Sequence, residues 1–245
     1  MKIKVIMTDK ARTRETMDDR EAMLSAALSV GVAISVDTIK AGPDELDTCT
    51  DEAFAAAEVV RQCIRAERDG FDAVVIYCFS DVGVDAAREN ISIPVIGPGE
   101  TALAVAGTLF SRFAVMTTSS ENIPRTHRRL IKNPVAREKM TSVRAIETGS
   151  LPIADFFRNA NLVREQLLSV CEKAVREEGI DGVVLGCLGM ARHSAFVEQA
   201  LPIRVLDPAF LAVAYAEMCA RLGIRHSESG YPKFQNKSNL DLNGL

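Results

Sequence analysis

Eight short apolar runs, rich in β-branched residues, alternate with longer segments of helical periodicity along this chain. The runs cover residues 3–7, 32–38, 73–78, 95–97, 113–117, 143–146, 182–186 and 203–206. Between them, residues 50–69 and 161–178 place apolar side chains three or four positions apart, as in an amphipathic helix. Parallel strands need crossover helices that cover the sheet, so this alternation predicts an α/β protein with parallel sheets.

The sequence also contains an internal repeat. Residues 72–78 read DAVVIYC and residues 181–187 read DGVVLGC. Each segment is an apolar strand, of the kind that is buried in a sheet, and ends in a cysteine. Further on, LAVA at 103–106 recurs at 211–214, and a strand introduced by proline precedes each copy. The pattern predicts two α/β halves of similar design.

The position of Cys78 and Cys187 in this repeat has a geometric consequence. Open parallel sheets bind ligands beyond the carboxyl ends of their strands. Both cysteines stand at such an end, so two halves facing each other would direct both thiols into one cleft. The N–H groups of a following helix stabilise a nearby anion and favour the thiolate.

Composition narrows the classes of function. Hydrophobic residues make up 47% of the chain and charged residues 25%, and the formal charge is −4 without a long basic run. Nucleic acid is therefore not expected as a partner. The sequence shows neither an apolar stretch of membrane-spanning length nor an export signal, so we expect no membrane association and a cytoplasmic location. A homo-oligomer is expected from the general behaviour of soluble proteins.

The six cysteines form neither CxxC pairs nor a cluster with histidine, so no metal site and no disulfide is expected. Cys63, Cys171 and Cys219 lie on apolar helix faces and are interpreted as core residues. Cys49 stands in a polar turn and carries no signal. Cys78 and Cys187 remain as candidates for chemistry.

One thiolate and one thiol on opposite sides of a carbon can remove a proton from one face and return one to the other, which inverts the stereocentre. The reaction needs a carbanion delocalised onto a neighbouring carbonyl group. It needs neither a metal nor pyridoxal phosphate.

Several blocks of the sequence resemble the aspartate/glutamate/hydantoin racemase superfamily, in particular its hydantoin and allantoin racemase branch. The blocks are IYCFSDVGVDAAREN at 76–90, SIPVIGPGETALAVA at 92–106, RFAVMTTSSENIPRTHRRL at 112–130, SVRAIETG at 142–149 and GVVLGCLGMA at 182–191. The resemblance is close over residues 72–214 and looser elsewhere.

The resemblance implies a fold, a reaction and a site. The fold would be two pseudo-symmetric Rossmann- or flavodoxin-like lobes, residues 1–98 with 208–245 and residues 99–207, with the active site in the cleft between them. The reaction would be racemisation without a cofactor, at a carbon α to a carbonyl group in a 5-substituted hydantoin or allantoin. Cys78 and Cys187 would be the acid and base, and the substrate contacts would come from backbone N–H groups and hydroxyls at Phe79, Ser80, Thr117, Thr118, Leu188 and Gly189.

The first strand departs from the family pattern. Hydantoin racemases typically end this strand with Asn-Pro-Asn, whose first Asn faces the substrate, whereas this chain reads Met7-Thr8-Asp9-Lys10. We expect Thr8 to contact the substrate here.

Two other functions stay open at this point. The chain could be an aspartate or glutamate type of amino-acid racemase, or a cis-trans isomerase of an unsaturated diacid, with Thr8, Lys10 and Arg12 receiving the extra carboxylate. It could also be a small-molecule-binding protein without turnover, which the altered first strand would suit.

Two local expectations concern the segments after the cysteines. A helix is predicted near residues 81–88, with Asp81 as its N-cap. A second helix is predicted near residues 189–199, with His193 two turns inside it and at the surface or behind the site.

Overall fold

The computed structural model describes residues 1–130, 132–147, 151 and 153–233. Residues 148 and 149, the last two of the block SVRAIETG, lie outside the described residues. So do residues 234–245, which were predicted to belong to the first lobe. The chain divides into two compact units. One contains Met1–Pro98 together with the chain from Ala212 onwards, and the other is Gly99–Leu211.

The described residues form eight β-strands, at each position where the apolar runs predicted one. They are β1 Lys2–Met7, β2 Ala33–Thr38, β3 Ala73–Tyr77, β4 Val95–Ile96, β5 Phe113–Thr117, β6 Met140–Ala145, β7 Gly182–Leu185 and β8 Arg204–Leu206. The largest difference is at β6, which begins three residues earlier than its apolar run. β6 is an edge strand, where polar residues are tolerated, and Thr141 and Arg144 both hydrogen-bond Glu178.

Ten α-helices lie between or after these strands within the described residues. They are α1 Arg14–Ser25, α2 Cys49–Arg68, α3 Val84–Arg88, α4 Pro98–Leu109, α5 Ile123–Leu130, α6 Pro134–Lys139, α7 Ile153–Arg158, α8 Ala160–Glu178, α9 Ser194–Ala200 and α10 Pro208–Leu222. No described helix has the length and apolar character needed to cross a membrane. The α/β class predicted from the alternation is confirmed.

The two sheets have the same architecture. All strand pairs are parallel, and the orders are β2-β1-β3-β4 and β6-β5-β7-β8. This is the beginning of the flavodoxin-like strand order. The sequence repeat therefore corresponds to a repeated topology, with β3 and β7 in equivalent positions.

Each sheet is covered by an amphipathic helix that the periodicity predicted. Thr48 caps α2 reciprocally with Asp51, which fixes the start of the helix, and Ala55, Val59 and Cys63 face the first core. In the other unit, Val163, Leu167 and Cys171 of α8 face the hydrophobic core of that unit. Burying a valine or leucine side chain contributes about 1.5–3 kcal/mol.

The segment after α10 is fastened to the first sheet by a cluster around His226. The Nε2 atom of His226 lies 2.9 Å from the carbonyl oxygen of Ile91, and its ring meets the Tyr231 ring edge-on at 5.7 Å. Arg88, at the end of α3, donates both to the Tyr231 hydroxyl at 3.2 Å and to the Val95 carbonyl at 2.9 Å. The same cluster therefore holds α3, β4 and the C-terminal segment together.

The His226 cluster makes stability depend on pH. Burial lowers the pKa of His226, and the charges of Arg88 and Lys233 add to the shift. Unfolded histidine binds a proton near pH 6.5, whereas the folded side chain does so only at lower pH, so the unfolded state gains stability as pH falls through this window. We expect the Tm to fall between about pH 7.5 and 5.5, and H226Q to reduce this fall. Thermal denaturation followed by circular dichroism measures it.

H127Q is the matched control, because His127 lies exposed on α5. An equal loss of pH dependence in both variants, or in neither, would contradict the assignment to His226.

Candidate active site

The central strands of the first sheet bring Thr8 and Cys78 to the same edge, the one formed by the carboxyl ends of the strands. β1 and β3 pair in register up to Met7 and Tyr77, so Thr8 and Cys78 are the next residues of adjacent strands. The strand order reverses direction between β1 and β3, and crevices at such switch points are where doubly wound folds bind ligands. Thr8 is buried and Cys78 is half-buried.

The backbone turns back toward the sulfur directly after Cys78. The Ser80 N–H donates to Cys78 Sγ at 3.4 Å, and the Asp81 N–H donates to the Cys78 carbonyl at 3.0 Å. A donor aimed at sulfur stabilises the thiolate relative to the thiol. Phe79 turns its side chain into the protein, where it is 4% exposed, so its contribution to the edge comes from the backbone.

The helix predicted after Cys78 begins later than expected. α3 starts at Val84, and its N-cap is Gly83 with φ of +73°. Asp81 has a φ of +54° and is not the cap, so the prediction that it caps this helix was wrong. Glycine suits the cap position, because its positive φ is unfavourable for other residues and a Cβ there would lie 3.2 Å from the Ala56 carbonyl oxygen of α2.

The charged residues that follow β1 are engaged in ion pairs. Arg12 holds both carboxylate oxygens of Asp9, at 2.7 Å from Nε and 2.6 Å from Nη2. Lys10 lies 3.6 Å from the exposed carboxylate of Asp44. Thr38, the last residue of β2, donates its hydroxyl to the Asp9 carbonyl.

The second sheet presents its own threonines and cysteine at the equivalent edge. β5 ends at Thr117, and Thr117 and Thr118 are 3% and 5% exposed. The Thr118 hydroxyl accepts a hydrogen bond from Asn122 Nδ2 at 2.7 Å, which fixes its rotamer. The strand order again reverses between β5 and β7, which places these hydroxyls and Cys187 at a second switch point.

Gly186 determines how the chain leaves β7. Its N–H donates to the Met116 carbonyl at 2.6 Å, and a Cβ at this position would lie 2.6 Å from the same oxygen and 2.9 Å from Val115 Cγ1. Only glycine permits this approach. Cys187 follows directly, half-buried against the core of its unit.

The segment after Cys187 is a loop rather than the long helix predicted. A 3-10 helix covers Leu188–Met190, and α9 begins only at Ser194. His193 is therefore the N-cap residue of α9 instead of lying two turns inside a helix, and it is buried at 7% exposure. Residues 189–199 contain no proline that would have indicated the interruption.

Asp207 supports the loop after Cys187, and the sequence analysis missed it. Its carboxylate is 8% exposed and accepts the N–H groups of Arg192 at 3.1 Å and Ala209 at 3.0 Å. Arg192 has a φ of +76°, an unfavourable conformation for a non-glycine residue, which the hydrogen bond helps to hold. Asp207 thereby links the loop after Cys187 to the start of α10, and the Asp-Pro pair after β8 was the available signal.

Burial separates the other thiols from Cys78 and Cys187. Burial raises the pKa of Cys171 to about 12 and also raises the pKa of Cys63 and Cys219. These three side chains are buried in cores, as predicted. Cys49 is exposed and is the first residue of α2 rather than part of a turn. All six cysteines are thiols, and within the described residues no three His, Cys, Asp or Glu side chains are grouped to hold a metal ion.

The chain belongs to the Asp/Glu/hydantoin racemase family, whose model matches residues 13–216. Fold and family together define an isomerase of the racemase class, acting on a small molecule.

Its relatives align with most of its length. The chain is 31% identical over 237 residues to a hydantoin racemase of Pseudomonas sp. (strain NS671), covering 97% of this chain and 93% of the relative. It is 33% identical over 198 residues to a hydantoin racemase of Rhizobium meliloti, covering 79% and 80%. Among solved structures, allantoin racemase from Klebsiella pneumoniae is 29% identical with a TM-score of 0.88, covering 98% of this chain and 96% of that one.

The environments of the six thiols predict their reactivity. At about pH 7.5 we expect iodoacetamide to alkylate Cys49, Cys78 and Cys187 at least about tenfold faster than Cys63, Cys171 and Cys219, because the buried thiols are shielded and stay protonated. Mass spectrometry of tryptic peptides over a time course gives the six rates. Equal rates for Cys78 and Cys171 would contradict the half-buried, strand-end position of Cys78.

Proposed function

We propose that the chain is a cofactor-independent racemase that inverts C5 of a 5-substituted hydantoin or of allantoin, with Cys78 and Cys187 as the acid and base pair. The observation that carries the proposal is the equivalence of the two thiols. Each follows the third strand of a sheet with the same parallel order, at the point where that order reverses. Two proton-transfer groups of one kind suit a reaction that must work on either face of a carbon.

The proton balance of the reaction is simple. One sulfur, as thiolate, takes the proton from C5, and the electron pair of the C–H bond moves into the adjacent carbonyl to give an enolate. The other sulfur, as thiol, donates its proton to the opposite face of C5. The enzyme ends with its two protonation states exchanged, ready for the other enantiomer, and each sulfur must come within about 3–3.5 Å of C5.

The Ser80 N–H supports the base form of Cys78. Its contact with Sγ stabilises negative charge on this sulfur before the proton is taken. Cys187 follows Gly186, which lies close to the Met116 carbonyl group. This contact fixes the backbone from which the Cys187 side chain projects.

Hydrogen-bond donors for the substrate's oxygens come from both sheet edges. A developing enolate is stabilised by donors that are already in place when charge appears. We assign this role to backbone N–H groups and side-chain hydroxyls at Thr8, Phe79, Ser80, Thr117, Thr118, Leu188 and Gly189.

A hydantoin ring fits the charges at the end of β1 better than a dicarboxylate. An amino diacid brings a second carboxylate that must be neutralised. The cations considered for that role are engaged, Arg12 in two short contacts with Asp9 and Lys10 near Asp44. A neutral imide ring needs no such cation, and the relatives named above are hydantoin and allantoin racemases.

The test is exchange of the C5 proton in D2O, followed by proton NMR with single enantiomers of 5-substituted hydantoins and allantoin, together with loss of optical rotation. We expect the wild type to exchange the C5 proton and to racemise the substrate. C78S and C187S should each lose about 10²–10⁴-fold in racemisation rate, because a serine hydroxyl is a much poorer proton-transfer group than a cysteine thiol at neutral pH. C49S is the matched control, since it removes an exposed thiol from a helix start.

Wild-type rates in both strand-end variants would refute the two-thiol mechanism. Tight binding of a hydantoin without any exchange would identify a binding protein instead, and exchange confined to aspartate or glutamate would identify an amino-acid racemase.

A further inference from the structure

Phe157 packs directly on the backbone that follows Cys187. A Cβ placed on Gly189 would lie 2.6 Å from Cδ2 and Cε2 of the Phe157 ring and 2.9 Å from its Cγ. The ring therefore occupies the space that any side chain at position 189 would need. An aromatic face is thus fixed two residues beyond the thiol.

The Phe157 ring is held in place by Phe156 and remains partly accessible. Phe156, 1% exposed, anchors α7 in the core and meets Phe157 edge-on with ring centroids 5.4 Å apart. Phe157 itself is only partly buried and packs on the same hydrophobic cluster as Cys187. An aromatic pair of this geometry fixes the ring's orientation without covering both of its faces.

We propose that Phe157 is a specificity-determining residue that provides an apolar wall for the substituent at C5 of the substrate. This inference rests on the proposed function and narrows its substrate class to hydantoins with an aromatic or large aliphatic substituent. Contact with the ring removes apolar area from water, which favours such substituents. The ureido group of allantoin gains nothing there, because burying its amide groups against a ring leaves their hydrogen bonds unmade.

The test compares kcat/KM for 5-benzylhydantoin, 5-methylhydantoin and allantoin in the wild type, F157A and F157L. We expect the wild type to prefer the benzyl substrate, and the ratio of benzyl to methyl kcat/KM to fall about tenfold in F157A and less in F157L. The effect should appear mainly in KM, because the ring contacts the substituent and takes no part in proton transfer.

F196A is the matched control. Phe196 is another partly buried phenylalanine packed on the same cluster, but it lies on α9 with the guanidinium of Arg164 over its ring at 5.5 Å. Its removal should leave the benzyl to methyl ratio unchanged. Circular dichroism of each variant checks that it is folded.

A double-mutant cycle tests the contact between the ring and Gly189. G189A alone should lose most activity, because the new methyl group collides with the ring. In the F157A background the same change should cost several-fold less, since the space is then open.

The outcomes separate this inference from the function on which it rests. An active enzyme whose benzyl to methyl ratio is the same in wild type and F157A, or that prefers allantoin, overturns the role of Phe157 and leaves the racemase proposal standing. A wild type that exchanges no hydantoin or allantoin proton overturns the proposed function, and this inference with it.

Discussion

Parallel pairing of the two central strands in each sheet sets where the helices, loops and thiols of this chain lie. β1 pairs with β3 and β5 with β7, and all four strands are almost entirely buried. Parallel strands end at the same edge, so the residue after each strand arrives beside its neighbour. The crossover helices required by this pairing leave that edge to short loops. Cys78 and Cys187 follow strands that end at this edge.

The contrast among the thiols shows how strongly position governs chemistry in this chain. Cys171 lies in the middle of α8 and is sealed in the core, and burial there raises its pKa to about 12. Cys78 lies one residue beyond a strand, where the chain has turned enough for the Ser80 N–H to meet its sulfur. Desolvation favours the neutral thiol in the first case, and a backbone donor favours the anion in the second.

The two sheet edges share a plan and differ in their supports. The first edge, which carries Thr8 and Cys78, is braced by the ion pair of Asp9 with Arg12. The second is braced by Asp207, which fixes the loop after Cys187, and by Phe157, which covers Gly189. A repeated topology thus sets equivalent positions for the thiols, while the side chains that hold the neighbouring loops differ between the two units.

Hydrophobic periodicity and residue type are local properties, so the approximate strand positions, the α/β class, the internal repeat and the pair of cysteines could all be read from the amino-acid order. The conformation of the segments after the cysteines was decided only by tertiary structure. Gly83 caps α3 where α2 approaches its backbone, and Asp207, the residue after β8, accepts the N–H of Arg192 at positive φ in the loop that replaces the start of the predicted helix. Such contacts join residues far apart in the chain, so no local pattern encodes them. The same holds for Phe157 and Gly189, whose contact depends on how α7 packs against the loop after β7.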